Sequence, residues 1–330
     1  MAVRAERVLR DLERLWEALA LHGAGQPGVL RACALTLIVI SDASDDAGNI
    51  GATLAELMER HPARAVLVRV GEEFPEPEAR VFAHCWLPRD GRSEICSEQI
   101  EITTNRAGLG EIVPVLVALA APDLPVAVWW RTAQLSLSSY RDRFTVLEPR
   151  MILDSERFGD AQAVLGQMAA LVASGHPVGD LAWARLTPLR ETLAQAYECA
   201  RTRLPLPKIL GAVVTCEDPA GMPGARYLAA WIAESLGWKI GEGRIRIEAR
   251  PQNRPGSRLA VRLEGHGFVI AVEQLADGAC DTRVGDSVRR TWFWQPSEAD
   301  LLAEELSLGA RDLVYPRCLA AAIEAARALG

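Results

Sequence analysis

Short apolar runs alternate with amphipathic helical patterns through the first half of the chain. Runs of apolar residues without polar alternation predict buried strands, and apolar residues three or four positions apart predict helices. The first 19 residues, MAVRAERVLRDLERLWEAL, predict an amphipathic helix. Further on, the patterns predict strands at 33–40, 63–70, 125–130 and 149–155, and helices near 51–61, 109–119, 137–145 and 160–174. Since strands and helices alternate, we expect a mostly parallel sheet with helices on both faces.

A β-hairpin interrupts this alternation at residues 81–102, with its turn at Asp90-Gly91. A two-residue turn places Cys85 opposite Cys96. Counting outward from the turn makes them a hydrogen-bonded pair, whose side chains lie further apart than those of a non-hydrogen-bonded pair. A disulfide is therefore allowed but not favoured, and we expect two reduced, packed thiols. Cys85 and Cys96 are nevertheless the pair that could respond to redox state.

The second half of the chain changes to strands in series followed by helices. Thr187 is a fair N-cap, with Pro188 at the first helical position. TRLPLP at 202–207 is the best linker candidate, and beyond it we expect a strand near 208–216, a helix near 223–236, strands between 244 and 294, and helices near 297–306 and 311–329. The predicted organisation is an N-terminal α/β domain, 1–204, and a smaller C-terminal α+β domain, 205–330.

Composition narrows the class of protein. The chain has 330 residues, of which 49% are hydrophobic and 24% charged, as in globular proteins. Its net charge of −7 argues against nucleic acid or an anionic membrane as a partner. The N-terminal pattern is not that of a signal peptide, and the seven cysteines form no C-x-x-C pair. We therefore expect a cytoplasmic protein.

Most catalytic signatures are missing from the sequence. GAGQPG at 23–28 formally matches G-x-G-x-x-G, but a helix precedes it and a strand follows it, the reverse of a dinucleotide fingerprint, so we interpret it as a linker. There is no G-x-S-x-G, H-E-x-x-H or Walker A sequence, and the five histidines lie far apart. We predict no catalytic residues, no bound cofactor and no metal.

Polar residues at two strand ends are candidates for a ligand crevice. Asp42, Asp45 and Asp46 in SDASDD could hold Mg²⁺, but the sequence favours turns and a helix cap for them. Asp154 and Ser155 follow another strand, and Arg131 follows its neighbour. Arg131 and Asp154 could face one another across a crevice, although a structural ion pair is the commoner arrangement.

The run Trp129-Trp130-Arg131 is unusual because alternation points its two rings to opposite faces of a strand. One ring must therefore pack against a second layer of the protein or be left available to bind a partner. Tryptophan and arginine are the side chains that most often anchor protein interfaces. Trp129, Trp130 and Arg131 are the first candidates for a partner interface, followed by Arg185 and Arg190.

Six motifs occur in an order and spacing that resemble one family. They are HPARAVLV, CSEQIEI, PDLPVAVWWR, ILDSERF, DLAWARLTPLRETLAQ and LAAWIAESLGW. The chain resembles the OpcA family, glucose-6-phosphate dehydrogenase assembly proteins of cyanobacteria and actinobacteria, from about residue 30 to the last helix. Leu189 stands where the family usually has tryptophan. The resemblance implies a non-catalytic protein that binds glucose-6-phosphate dehydrogenase, promotes its active oligomer and so supports NADPH production.

Two other interpretations stay open at this point. The first is an enzyme or sensor for a sugar phosphate or nucleotide, using the strand ends near Asp42, Arg131 and Asp154. Thermal stabilisation by glucose 6-phosphate or NADP⁺ alone would favour it. The second is a structural subunit, which would co-purify with the dehydrogenase without changing its kinetics.

Overall fold

The structure is a computed structural model that describes residues 3–22, 29–88, 93–132, 144, 147, 149–202, 205–218, 222–249, 257–275, 277–307 and 312–329. It contains two compact units, each assembled from separate stretches of the chain. The first unit comprises residues 1–153, 176–179 and 297–309, and the second comprises 154–175, 180–296 and 310–330. The boundary between residues 204 and 205 stays a sequence prediction. None of the described helices has the length and apolar character needed to cross a membrane.

The described helices and strands are numbered here in chain order. The helices are Ala5–His22 (α1), Ala47–Met58 (α2), Leu109–Leu119 (α3), Ala161–Ala173 (α4), Leu181–Ala184 (α5), Thr187–Ala200 (α6), Pro223–Leu236 (α7), Glu298–Ser307 (α8) and Tyr315–Leu329 (α9). The strands are Val29–Arg31 (β1), Leu35–Asp42 (β2), Ala63–Val70 (β3), Glu78–Trp86 (β4), Glu94–Thr104 (β5), Val126–Trp130 (β6), Arg150–Leu153 (β7), Val178–Asp180 (β8), Ile209–Cys216 (β9), Ile245–Ala249 (β10), Ser257–Gly265 (β11), Phe268–Leu275 (β12), Ala279–Val284 (β13) and Ser287–Trp292 (β14).

A mostly parallel sheet forms the first unit, as predicted. Its strand order is β1-β5-β3-β2-β6-β7-β8, and β4 pairs with β5 in antiparallel fashion. The central strand β2 pairs in parallel with β3 on one side and β6 on the other. Its residues Leu37–Ile40 are buried, because a central parallel strand is covered on both faces. Starting at β2, the chain therefore builds the sheet outward to one side and then returns to build the other.

The predicted hairpin is confirmed, but the predicted state of its cysteines is wrong. Cys85 pairs with Cys96 as expected, and the two are joined in a disulfide with their Cα atoms 4.0 Å apart. The Cys96 carbonyl accepts a hydrogen bond from the Ala32 N–H, so its backbone polar groups turn away from β4. The pair is therefore of the non-hydrogen-bonded kind, which brings the side chains closer. Counting outward from a two-residue turn predicted a hydrogen-bonded pair, which is the opposite kind.

Most of the other predicted elements are confirmed within four residues of their expected ends. The predicted N-cap of α6 is wrong: Leu186 is the N-cap, and Thr187 is the first helical residue. The Thr187 hydroxyl accepts a hydrogen bond from the Arg190 side chain one turn later, so it binds a side chain instead of capping the helix backbone. The GAGQPG segment, the Asp90-Gly91 turn and all but residue 144 of the predicted helix at 137–145 lie outside the described residues.

A mixed sheet forms the second unit, in the order β10-β9-β11-β12-β13-β14. The β10–β9 pair is parallel and the remaining pairs are antiparallel. Helix α6 packs against β12 and β13, and α7 packs against β9 and β10. Alternate residues of the central strands are buried, including Leu259, Val261, Ile270 and Val272. This alternation is typical of a sheet with one covered face, and it confirms the predicted α+β class.

Candidate functional site

The loop after β2 occupies the position where doubly wound sheets usually bind ligands. The order β5-β3-β2-β6-β7-β8 is that of a dinucleotide-binding sheet, with β2 as the first strand and the change of direction between β2 and β6. Ligands bind outside the carboxyl ends of the strands at this change of direction. In this chain those ends carry Asp42 as the last residue of β2, Asp45 and Asp46 after it, and Arg131 and Thr132 after β6.

Side chains and backbone groups of the first unit bind all three of these aspartates. Asp46 is the N-cap of α2, and its carboxylate accepts hydrogen bonds from the N–H groups of Gly48 at 2.8 Å and Asn49 at 3.4 Å. The Thr132 hydroxyl donates to Asp42. Arg131 Nε lies 3.4 Å from Asp45 Oδ2. The helix-cap interpretation of this loop is confirmed for Asp46.

Arg131 is the centre of this arrangement. Its side chain is 4% exposed, and its Nη1 lies 2.6 Å from Glu298 Oε1 on α8. The guanidinium also lies over the ring of Trp129, 4.4 Å from the ring centroid. A buried arginine held by two carboxylates and an aromatic ring is fixed in place. The sequence offered no signal for Glu298, which is 167 residues away.

The two tryptophans are both buried in the first unit. Trp129 is 0% exposed and Trp130 is 1% exposed. Their strand lies between β2 and β7, with Trp129 beside Ile152 and Trp130 beside Leu153. Because successive side chains point to opposite faces, each ring packs into a covered face of the sheet. Trp129, Trp130 and Arg131 are thus buried within their own chain, and their role at a partner interface stays a prediction.

A second network joins the ILDSERF and DLAWARLTP motifs within the second unit. Arg185 Nη2 lies 2.7 Å from Asp154 Oδ2, and Arg185 Nη1 lies 2.8 Å from Glu156 Oε2. Arg258 on β11 reaches the same Glu156 oxygen at 2.7 Å. Asp154 thus pairs with Arg185, whereas Arg131 pairs with Asp45 and Glu298 in the other unit. The crevice expected between Arg131 and Asp154 stays a prediction.

Asp180 is buried at the centre of this second network. Its Oδ1 accepts hydrogen bonds from the N–H groups of Ser155 at 3.0 Å and Ala182 at 2.9 Å, and its Oδ2 accepts one from the Tyr227 hydroxyl at 2.8 Å. Burial, and then the negative charge of Asp154, raise the pKa of Asp180 to about 7, although the hydrogen bonds oppose this shift. Burial also raises the pKa of Tyr227 well above its ordinary value, so its hydroxyl stays protonated and donates.

Aromatic rings surround the start of α5 and α6. Trp183 lies 5.8 Å from Tyr227 and 5.7 Å from Tyr315 between ring centroids, and its indole N–H donates to Asp312. The Arg190 guanidinium lies 3.6 Å above the Trp183 ring. Arg185 and Arg190, both predicted as partner contacts, are thus half-buried and bound to groups of their own chain. Their role at an interface stays a prediction.

Metal ligation finds little support in the part of the chain that is described. The one group of three close ligand atoms found there consists of Cys85, Glu94 and Cys96. Since the two sulfurs are joined in a disulfide, they are not thiolates, which are the form of cysteine that binds metals. The three aspartates after β2 do not form such a group among the described residues.

These features define a two-unit protein with a doubly wound sheet of dinucleotide-binding topology, whose strand-end loop carries carboxylates where that class usually has glycines. Residues 54–170 match the N-terminal domain of the family described as "Glucose-6-phosphate dehydrogenase subunit", and residues 176–319 match the C-terminal domain described under the same heading. The two matches together cover most of the chain. The chain belongs to the OpcA family.

Curated relatives carry the same family name. The OxPP cycle protein OpcA of Nostoc punctiforme is 29% identical over 187 residues, which cover 56% of this chain and 40% of that protein. The protein of the same name from Synechocystis sp. is 27% identical over 180 residues, covering 54% of this chain and 38% of the relative. Thus the matched region spans about two fifths of the length of these relatives.

Among solved structures, KijD10 from Actinomadura kijaniata, a 3-ketoreductase in complex with TDP-benzene and NADP, has a TM-score of 0.50 and 9% sequence identity. The match covers 89% of this chain and 96% of that chain. At such low identity the likeness shows the fold alone.

Proposed function

We propose that this protein is a non-catalytic partner of glucose-6-phosphate dehydrogenase. It binds the enzyme and promotes its assembly into, or stabilises, the active oligomer, and so supports NADPH production in the oxidative pentose phosphate pathway. The observation that carries this proposal is the match of most of the chain to two family profiles named for glucose-6-phosphate dehydrogenase. The names of the curated relatives, which refer to the OxPP cycle, support the same pathway.

The geometry of the strand-end loop supports a binding role over dinucleotide chemistry. Dinucleotide sites place a pyrophosphate against free N–H groups at a helix N-terminus. Here the Asp46 carboxylate takes the N–H groups of Gly48 and Asn49, and Asp42 and Asp45 add negative charge beside it. A pyrophosphate at this place would meet carboxylates and lose its hydrogen-bond donors.

The second network supports the same interpretation. Asp180 has the raised pKa that is common in general acids and bases. However, it is fully buried, and its two oxygens accept three hydrogen bonds from the chain itself. Because the chain itself takes up both oxygens of Asp180, we assign Asp180 to positioning α5 and Tyr227.

Activation of the enzyme would follow from linkage. If the protein binds the active oligomer more tightly than the inactive form, it shifts the population toward the active one by that difference in affinity. A coupling free energy of about 1–3 kcal/mol, or roughly 5- to 150-fold in affinity, is typical. The dehydrogenase should in turn bind this protein more tightly when its own substrate favours the active oligomer.

The test is a titration of the purified protein against the dehydrogenase of the same organism. NADPH formation at low glucose 6-phosphate and the mass of the complex are recorded together. Saturable activation with a heavier complex is expected. A heavier complex without a change in rate would support the structural-subunit alternative, and neither a complex nor activation would refute the proposal.

Arg190 is the residue to change once a complex is seen. Arg190→Gln removes the cation above Trp183, and Arg201→Gln changes an exposed arginine at the end of the same helix as a matched control. Loss of a true anchor costs at least about 2 kcal/mol, or roughly 30-fold in affinity. Equal binding by both variants would dismiss Arg190 as an anchor.

A further inference from the structure

The second sheet has one face that the described helices leave open, here called the outer face. Leu259, Val261, Ile270 and Val272 point to the covered side, where α6 and α7 pack. The residues between them in sequence, such as Ala260 and Ala271, point to the other side and are only half-buried. The outer face belongs entirely to the second unit.

Most charges on the outer face lie in two neighbouring rows that run across the strands. Glu264 lies beyond the basic row and pairs with Arg262 at 3.2 Å. The basic row holds Arg246, Arg262 and Arg283, which the strand register aligns through Val213 and Ala271. The arginines of this row are all exposed.

The acidic row lies two residues further along each strand and holds Glu248, Glu273 and Asp281. Arg290 at its end binds Asp281 through two 2.6 Å contacts. Rows two residues apart along a strand are about 7 Å apart, so the basic and acidic rows are close neighbours.

The outer face also carries a protruding ring and a hollow. Trp292, in the last strand, is 69% exposed, and Val288 in the same strand is 56% exposed. A cavity of about 720 Å³ opens on this face over Ala260, Ala271, Val269 and Gly285, whose side chains are small or missing. Large exposed apolar groups beside a hollow are typical of surfaces that bind another protein.

We propose that the outer face binds the same face of a second copy of this chain. The two-fold axis runs parallel to the rows and lies midway between them. Rotation about this axis places each strand of one copy over the same strand of the other. It also places the basic row of each copy over the acidic row of the other. Arg283 then lies over Asp281 of the second copy, and Arg246 lies over Glu248 of the second copy. The same rotation brings Trp292 of one copy over the turn between β13 and β14 of the other, where Gly285 and Asp286 border the hollow.

Charge complementarity favours a second copy as the occupant. The whole chain has a net charge of −7, so two copies repel each other at most orientations. On the outer face the rows carry both signs, and the row exchange places opposite signs together on β10 and β13, while Arg262 and Glu273 lie over alanines. A C2 interface needs this self-complementarity, because the same patch serves both partners.

Pairing of two β14 edges fits the charges less well. In an antiparallel pair centred on this strand, Arg289 of one copy would lie opposite Arg290 of the other, because the strand spans Ser287–Trp292. Like charges directly opposite each other destabilise a strand pair. The outer face is therefore preferred over the edge.

The area is sufficient for a modest dimer. Six strands span about 29 Å, and six residues along them span about 20 Å, so two stacked faces would cover roughly 1,100 Å². Specific interfaces start at about 1,000 Å². We therefore expect a dimer that dissociates on dilution and weakens as salt screens the rows.

Sedimentation velocity over a concentration series tests the proposal, using the full chain alone, without the dehydrogenase. The wild type should shift from monomer to dimer as its concentration rises. Arg283→Glu places a carboxylate over the acidic row and should weaken the dimer at least tenfold. Trp292→Ala should weaken it by about a thousandfold, because each dimer loses two anchors of roughly 30-fold each. Arg289→Glu is the matched control, since it makes the same charge change on the next strand but points to the other face.

The outcomes separate this proposal from the proposed function. Circular dichroism melts first confirm that each variant is folded. A wild type that stays monomeric, or a dimer equally weakened by Arg283→Glu and Arg289→Glu, would overturn the proposal. A monomeric wild type whose binding to the dehydrogenase is lost with Arg283→Glu would assign the outer face to the enzyme instead. A dimer that behaves as described would support the proposal even if no dehydrogenase binding were found.

Discussion

Replacing Asp180 with asparagine tests the electrostatics of the second unit's interior. Asp180 is fully buried, and burial raises its pKa from 3.8 to about 7. Asparagine has almost the same shape, and its side-chain oxygen can accept from Ser155 and Ala182. The Tyr227 hydroxyl can rotate to accept from the new amide group. The substitution therefore removes the titration while it keeps most of the packing.

The sign of the effect follows from proton linkage. Between pH 4 and pH 7 the folded protein holds a proton on Asp180 that the unfolded chain has lost, so the free energy of unfolding falls as the pH rises. The stabilising contribution is complete below the unfolded pKa of 3.8 and is lost by pH 7. The slope is about 1.4 kcal/mol per pH unit in the middle of this window. Between pH 5 and pH 7 the loss is about 2 kcal/mol.

Urea denaturation followed by circular dichroism measures this difference. Wild type and Asp180→Asn are unfolded at pH 5, 6 and 7, and the difference between their free energies of unfolding is plotted against pH. Other groups titrate in both proteins and cancel. The wild type should lose about 2 kcal/mol relative to the variant from pH 5 to pH 7. Asp160→Asn is a matched control, because Asp160 is also a helix N-cap but is exposed.

A flat difference would refute the reasoning. If it changes by less than about 0.5 kcal/mol over this range, Asp180 does not hold a proton that the unfolded chain releases. A wild type that gains stability relative to Asp180→Asn as the pH rises would show that Asp180 is ionised and stabilised by its surroundings. Either result would mean that Asp180 is not a neutral buried carboxyl at these pH values.

Three further outcomes are expected. NADP⁺ or glucose 6-phosphate alone should leave the melting temperature within replicate scatter, because carboxylates fill the phosphate position; a dose-dependent rise would contradict this. Trp129→Ala should lower the free energy of unfolding by about 3–5 kcal/mol, as expected for a ring buried in the core. Variant protein that is folded should bind the dehydrogenase as tightly as the wild type. Urea denaturation checks the first result and a binding titration checks the second. Replacing Cys85 and Cys96 with serine should cost about 2–4 kcal/mol by removing their cross-link, and equal urea midpoints for variant and wild type would argue against it.

Local patterns were enough to predict the elements, because the period of the apolar residues is a local property. Residues 63–70, 109–119 and 223–236 are a strand and two helices at the predicted bounds. Each depends mainly on its own run of apolar residues and on flanking polar or turn residues. The class of both units followed from the order of such elements.

Features that depend on distant partners could not be predicted in the same way. The disulfide depends on β1, since the Ala32 N–H sets the direction of the Cys96 backbone from the far edge of β5. Trp129 and Trp130 are buried because β2 and β7 lie on either side of their strand. Arg131 is bound to Glu298, and no spacing in the sequence connects the two.

Asp46 connects the fold to the proposed function most directly. In a sheet of this order, the first helix points its N-terminal N–H groups at the phosphate of a bound dinucleotide. Here the Asp46 carboxylate accepts hydrogen bonds from Gly48 and Asn49, so the chain supplies its own anion at that helix end. The same scaffold can then persist without the nucleotide that would otherwise satisfy those groups. A chain that has this topology and supplies its own anion at the ligand position is suited to act through its surface, as the proposed partner of the dehydrogenase would.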